Sequence, residues 1–200
     1  ENMRQIENTI ERLNIDSLEN LLFHSINAIN SDKPLNVFIE KVLESKYVKE
    51  SMGVSVYNFQ DSILANSKYS KLNLFQIQDN ILSRTMISKE VRSQVDNSQL
   101  KFQIRSIFLQ GILLANPNTI SEKFQFIRED LLALEKIAEK LGVNKLSLCL
   151  SYMNLCNSNF DFIIAVNSIE HLKQIEKAIL LDIPKVVLDE IPLLNRIDGD

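Results

Sequence analysis

The chain has 200 residues, of which 45% are apolar and 24% are charged, and its formal net charge is −4. These values are ordinary for a globular protein with a sizeable core, and a mildly acidic chain offers no basic face for nucleic acid. The longest apolar stretch is too short to span a bilayer, so neither nucleic acid nor a membrane is expected as a partner.

Strand-like and helix-like segments alternate along the first half of the chain. Residues 2–13 place Ile6, Ile10 and Leu13 on one helical stripe, and the apolar run from Leu18 to Phe23 predicts a strand. The next predicted elements are a helix over 34–46, a strand from Met52 to Val56, a helix over 60–67 capped by Asn58, a strand from Leu72 to Ile77 and a helix over 88–96.

The second half continues this alternation. A strand is predicted from Phe102 to Phe108, followed by a longer connection over 112–127 and a helix over 128–141 that ends at Gly142. The remaining predicted elements are a helix from Asn144 to about Leu155, a strand from Phe160 to Val166, a helix capped by Ser168 and an apolar-periodic segment from Pro184 to Leu194. We therefore predict one α/β domain over residues 1–200, built on a parallel sheet covered by helices.

Polar side chains stand at or near the ends of these strands. Right-handed crossovers direct the carboxyl ends of parallel strands to one edge of the sheet, so His24, Ser55, Gln76, Ser106 and Asn167 are expected to gather there. Taken singly, His24, Ser55 and Gln76 are each better explained by local hydrogen bonds than by a ligand. The gathering itself, at the edge where α/β proteins bind ligands, is the functional signal.

Arg105 and Ser168 add a preference for anions. Arg105 lies inside a predicted apolar strand, where an arginine needs an acidic partner or a ligand phosphate. Ser168 is a predicted helix cap beside Asn167, and free backbone N–H groups at a helix start attract phosphate.

Several classes of site are excluded by the residues themselves. No GxGxxG or GxxxxGK[ST] motif occurs, and the two histidines form no cluster with the two cysteines, so no metal is expected. Cys149 and Cys156 are seven residues apart on one predicted helix, a separation of roughly 10 Å that no disulfide can bridge. Free thiols indicate a reducing, cytoplasmic location.

Five segments together resemble the aldo-keto reductases, which reduce carbonyl groups with a nicotinamide cofactor bound to a (β/α)₈ TIM barrel. They are NIDSLENLLFHS, GVSVYNF, FQIQDNIL, RSIFLQG and FIIAVNSIEHLKQI, and they resemble the family's strands four to eight in order. The resemblance implies a partial barrel: the C-terminal five strand–helix units, without the first three.

The resemblance also implies roles for individual residues. His24 falls on the active-site histidine, which orients a small-molecule carbonyl substrate. Ser55 and Gln76 fall on contacts to the nicotinamide amide of NADP(H) or NAD(H). The remaining implied cofactor residues, along the pyrophosphate and the adenosine end, are Arg105, Ser106, Gln110, Gly111, Asn167 and Ser168.

Departures from the family pattern shape the functional prediction. The family's catalytic tyrosine, lysine and aspartate belong to segments that precede the first match, and Ala165 replaces a lysine that some members use for the cofactor's 2′-phosphate. We therefore expect a fragment of an NAD(P)H-dependent carbonyl reductase that is inactive alone. The alternative is a non-catalytic barrel remnant that acts as a binding or interaction module. The sequence leaves self-association to a homo-oligomer open.

Overall fold

A computed structural model describes residues 2–29, 35–153, 160–181, 184, 190 and 191. Its strands are β1 (Leu18–Phe23), β2 (Val48–Val56), β3 (Leu72–Gln78), β4 (Lys101–Arg105) and β5 (Phe160–Phe162). Its helices are α1 (Asn2–Leu13), α2 (Ile26–Ile29), α3 (Leu35–Glu44), α4 (Phe59–Lys68), α5 (Lys89–Asp96), α6 (Arg128–Leu141), α7 (Lys145–Ser151) and α8 (Ile169–Ile179). Segments of 3₁₀ helix include Thr85–Ile87, Leu109–Leu114 and Glu122–Ile127.

The five strands form one parallel sheet in the order β1-β2-β3-β4-β5. Phe23 pairs with Val54, and Val54 pairs in turn with Phe75 on β3. Within the described residues the sheet is open, with β1 and β5 at its edges. The predicted α/β class and the partial-barrel arrangement of parallel strands are thus confirmed.

The chain divides into two compact units. The first unit comprises Glu1–Ile77 and Val95–Gln103, and the second comprises Gln78–Gln94 and Ile104–Asp200.

The core of the first unit lies on β2 and β3. Met52, Val54, Val56, Leu72 and Phe75 have no more than 1% of their surface exposed, as expected for parallel strands covered on both faces. In contrast, Leu18 and every residue from Asn20 to Phe23 on the edge strand β1 is only half-buried. The apolar composition is similar in all three strands, so the difference reflects position in the sheet.

Gly53 allows β2 and β3 to approach closely. A Cβ atom at this position would lie 1.6 Å from the backbone oxygen of Leu74, its register partner, and the register shifts between Met52 and Gly53. No side chain larger than hydrogen fits unless the strands separate. Gly53 therefore holds the register that aligns Ser55 with Gln76 two residues further along.

The boundaries of α4 and α6 and the predicted helix caps agree with the sequence predictions, whereas α7 ends at Ser151 and not near Leu155, and the short helix α2 was not predicted. α6 spans the predicted residues, and Gly142 ends it with φ 66° in the left-handed region. Asn58 accepts a hydrogen bond from the Asp61 backbone N–H at 2.9 Å, and Asn144 accepts one from Ser147 at 2.8 Å. These caps satisfy backbone donors that a helix start leaves free.

Two predicted strands end earlier than expected. β4 stops at Arg105 and not at Phe108, because the backbone turns at Ser106, where φ is 66°. β5 stops at Phe162 and not at Val166, and Ile163 and Val166 are each 41% exposed. Apolar residues continue in the sequence past the ends of both strands, so hydrophobicity alone could not locate the strand ends. The connection predicted over 112–127 contains 3₁₀ structure.

Some predicted apolar faces are exposed. Leu13 on α1 is 58% exposed, although Ile6 and Ile10 are buried as predicted. On α8, Ile169 is 74% and Leu172 is 46% exposed, and Ala178 is the buried residue of that helix. The predicted segment from Pro184 to Leu194 and Cys156 lie largely or wholly outside the described residues.

None of the helices within the described ranges combines the length and apolar character that a membrane crossing requires.

Candidate cofactor-binding cavity

Three predicted site residues lie at the carboxyl ends of strands in the first unit. Ser55 on β2 and Gln76 on β3 are register partners, and both are half-buried between fully buried neighbours. His24 directly follows Phe23, the last residue of β1, and is exposed. Because Phe23 pairs with Val54, continuing the register by one residue would place His24 opposite Ser55.

In the second unit, a buried carboxylate organises the turn that follows β3. Asp79 is fully buried, and its side chain accepts hydrogen bonds from the backbone N–H groups of Thr85 at 3.1 Å and Met86 at 2.8 Å. The Ser83 and Tyr152 hydroxyls also donate to it. Four donors give the buried oxygens the partners they need.

The same turn supports the end of β4. The Asp79 backbone N–H donates to the Arg105 carbonyl oxygen at 3.1 Å, and the Arg105 Nη1 donates to Gln78 at 3.4 Å and to the Ser106 hydroxyl at 3.2 Å. Arg105 is therefore the last residue of its strand and half-buried, which corrects its predicted place inside a buried strand.

The loop after β4 has an unusual backbone. Ser106, Leu109, Gln110 and Gly111 have φ values of 66°, 46°, 55° and 89°. The first three are non-glycine residues in a region that such residues seldom adopt. Backbone strain of this kind concentrates at ligand sites, where the surrounding fold maintains it.

This loop forms one wall of a cavity of about 700 Å³ that lies in the second unit. The volume is within the range of about 300–1,000 Å³ that is usual for small-molecule and cofactor sites. The lining residues come from the β4 loop, the start of α7, the segment after β5 and the first turns of α8: Arg105, Ser106, Ile107, Phe108, Gln110, Gly111, Leu114, Asn144, Lys145, Leu146, Ile163, Ile164, Ala165, Asn167, His171, Gln174 and Ile175.

The ionisable residues that line the cavity are all basic. Arg105, Lys145 and His171 contribute basic groups, and none of the described lining residues carries a carboxylate. Amides of Gln110, Asn167 and Gln174 add neutral hydrogen-bonding groups between apolar walls. A ligand with phosphate groups and flat apolar rings matches this combination, so the residues present fit a nicotinamide dinucleotide.

The structure brings together five of the eight predicted cofactor residues, because Arg105, Ser106, Gln110, Gly111 and Asn167 all line the cavity. Ser168 is not among the lining residues. Its hydroxyl caps α8 by accepting a hydrogen bond from the His171 backbone N–H at 3.1 Å. His24, Ser55 and Gln76 lie in the first unit, and their convergence with the cavity stays a prediction.

Sequence reasoning missed Lys145, His171 and Gln174 as cavity residues. His171 and Gln174 are three residues apart on α8, a spacing that presents both on one helix face. That spacing could have identified both residues from the sequence. No feature of the sequence distinguished Lys145 from an ordinary residue at the start of a helix.

Cys149 lies on α7 and is fully buried. Burial raises the pKa of its thiol to about 12, although the positive charge of Lys145 acts in the opposite direction. A thiol with such a pKa is a packing group and is not a nucleophile. Within the described residues, no group of three or more His, Cys, Asp or Glu side chains is placed to hold a metal ion.

The chain was compared with known proteins by sequence and by structure, and only the structural comparison found matches. No family model matches the chain, and no curated protein matches its sequence. The thermostable aldo-keto reductase Tm1743, solved with the inhibitor epalrestat, superposes with a TM-score of 0.69 at 20% identity over 94% of this chain and 64% of its own.

Two structures of an aldo-keto reductase from Klebsiella pneumoniae also match. The NADPH complex has a TM-score of 0.69, and the complex with NADP and acetate has 0.67; each is 20% identical over 97% of this chain and 66% of its own. The chain thus spans about two thirds of the length of the reductases it matches. In fold, this chain is similar to the aldo-keto reductases over nearly its whole length, as the motifs predicted.

Proposed function

We propose that this chain binds a nicotinamide dinucleotide, with NADP(H) preferred, and belongs to the machinery of an NAD(P)H-dependent carbonyl reductase of the aldo-keto reductase type. The observation that carries the proposal is the cavity of the second unit, which collects five residues that the motif resemblance assigns to the cofactor. Two of the structural neighbours are complexes with NADPH or NADP, which supports the preference for NADP(H).

Each predicted residue has a role in this proposal. Ser106, Gln110 and Gly111 would lie along the pyrophosphate, with Arg105 as the compensating charge, whereas Asn167 and Ser168 would lie near the adenosine end. Ser55 and Gln76 would hold the carboxamide. The cofactor would supply a hydride to the carbonyl carbon.

His24 would orient the carbonyl of a small-molecule substrate such as an aldehyde, a ketone or a sugar. An exposed imidazole after the end of β1 can donate a hydrogen bond to the carbonyl oxygen. Protonation of that oxygen would fall to a tyrosine outside these 200 residues. The buried free thiol of Cys149 supports a reducing, cytoplasmic setting for this chemistry.

Titration of this chain with NADPH, followed by calorimetry, tests the binding proposal. We expect saturable binding, and we expect Arg105→Met to weaken it about tenfold, because a charge-assisted hydrogen bond to phosphate is lost. Lys136→Met is the matched control, since Lys136 is an exposed lysine on α6 that does not line the cavity. Absence of NADPH binding by the unaltered chain would refute the proposal.

Turnover is a separate question from binding. These residues match the family histidine and not its tyrosine, lysine and aspartate, so we expect no carbonyl-dependent NADPH oxidation from the chain alone. Measuring NADPH absorbance with an aldehyde and with a ketone would check this. Clear turnover would show that another residue protonates the carbonyl oxygen.

The alternative function, a non-catalytic binding or interaction module, is favoured by the edge strand of the first unit. Leu21, Leu22 and Phe23 on β1 are only half-buried, and an apolar edge strand can pair with another chain. Sedimentation equilibrium would reveal self-association, and Leu21→Lys should abolish it. A monomer over the whole concentration range would remove self-association as the role of this edge.

A further inference from the structure

Lys145 contributes a partly buried ammonium group to the cavity. It is the first residue of α7, it is half-buried, and it lines the cavity of the second unit. Its Nζ donates a hydrogen bond to the carbonyl oxygen of Ala115, immediately after the 3₁₀ segment of the β4 loop. The ammonium group is therefore anchored at the cavity wall by a neutral acceptor.

No carboxylate compensates this charge within the described residues. Two other cations of the second unit have acidic partners: Lys140 is 2.8 Å from Glu190, and Arg128 is 3.2 Å from Glu129. Lys145 forms no ion pair of this kind with any described residue. A half-buried ammonium group that lines a cavity and has no carboxylate partner among the described residues is suited to bind a ligand anion.

Ala165 supplies the complementary observation. It lines the same cavity and bears no charge, and the motif resemblance aligns it with a lysine that some aldo-keto reductases use for the 2′-phosphate of the cofactor. α7 packs against α8, whose first turns also line the cavity. Lys145 on α7 is a positively charged residue that lines the same cavity.

We propose that Lys145 binds the 2′-phosphate that distinguishes NADP(H) from NAD(H), and so sets the cofactor preference of this chain. The proposal rests on the proposed function, because it requires that the cavity hold the dinucleotide. An ammonium group has three N–H donors, so Lys145 can keep its hydrogen bond to Ala115 and still donate to phosphate oxygens.

Calorimetric titrations with NADPH and with NADH test this assignment, using the unaltered chain, Lys145→Met and Lys145→Arg. We expect Lys145→Met to weaken NADPH binding at least tenfold and to change NADH binding less than twofold. Lys145→Arg should recover most of the NADPH affinity because it restores the charge. Lys136→Met should leave both affinities unchanged, and circular dichroism should confirm that each variant is folded.

A second pair of ligands, 2′,5′-ADP and 5′-ADP, isolates the phosphate from the nicotinamide. Only 2′,5′-ADP binding should respond to Lys145→Met, and its affinity should depend less on salt in the variant. An equal loss for both ligands, or no loss for either, would overturn the assignment while leaving the proposed function intact. If the unaltered chain binds neither dinucleotide, the proposed function fails and this inference fails with it.

Discussion

The two compact units present their polar residues in different ways. In the first unit, Ser55 and Gln76 are held on paired strands, where the register specifies which residues are neighbours. In the second unit, Ser106, Gln110 and Gly111 belong to a loop whose backbone repeatedly adopts positive φ values. Polar residues on strands, such as Ser55 and Gln76, are positioned by the close packing of regular backbone. Polar residues in a loop, such as Ser106 and Gln110, are positioned by the side chains and turns that stabilise an irregular backbone.

The largest effect on stability is expected at Gly53, where strands β2 and β3 approach each other closely. Gly53→Ala should reduce the free energy of unfolding by about 3 kcal/mol, because the new Cβ collides with the Leu74 backbone. Urea denaturation would measure the loss. A cost below about 1 kcal/mol would show that the approach of β2 and β3 is looser than the structure indicates.

Two buried tyrosines allow a matched comparison of the units. Tyr152→Phe should cost about 2 kcal/mol in unfolding free energy, because its hydroxyl donates to the buried Asp79 carboxylate. Tyr69→Phe in the first unit should cost about 1 kcal/mol, because its hydroxyl donates to the neutral carbonyl of Ile29 at 3.1 Å. Thermal or urea unfolding of both variants provides the measurement, and a reversed order would contradict the proposed importance of Asp79.

In the loop after β4, we expect substitution of Gly111 to have a smaller effect on the free energy of unfolding. Its φ is 89°, and a Cβ would meet no atom within 4 Å, so Gly111→Ala should cost about 1 kcal/mol from backbone conformation alone. Gly142→Ala is the control, because Gly142 has φ 66° and equally open surroundings but does not line the cavity. We expect both variants to lose similar stability, which unfolding curves would measure. We expect only Gly111→Ala to bind NADPH more weakly, which NADPH titrations would measure.

The smallest change concerns the thiol of Cys149. Burial raises its pKa to about 12, so the thiol is almost fully protonated at pH 8 and its thiolate fraction increases with pH. In a Cys156→Ser variant, a disulfide reagent such as DTNB should react at pH 8 only as fast as the protein unfolds. Rapid labelling of the native variant would show that Cys149 is accessible and that the second-unit core is more open.

Regular elements could be predicted well because their signals are local. The six residues of β1 and the fourteen of α6 have the bounds that the sequence predicts, since apolar spacing and a terminal glycine mark them. The caps Asn58, Asn144 and Ser168 could be predicted for the same reason. Each depends on residues only a few positions apart.

Predictions that required knowledge of neighbours were less accurate. The apolar run after Arg105 predicts a longer strand, but Ile107 is buried beyond the turn at Ser106, so hydrophobicity indicated burial and not extended structure. Leu13 and Ile169 fit helical apolar stripes and are exposed. Periodicity identifies a face of a helix, and only the tertiary fold determines whether anything covers it.

The sequence by itself determined the α/β class, the order of strands and helices, and the set of polar residues from which a cofactor site could be built. Tertiary structure alone decided that five of those residues share one cavity, that Lys145 and His171 join them, and that the buried Asp79 organises the turn beside the end of β4. The reason is physical: backbone preference and apolar spacing act over a few residues, whereas a cavity depends on contacts between segments distant in the chain.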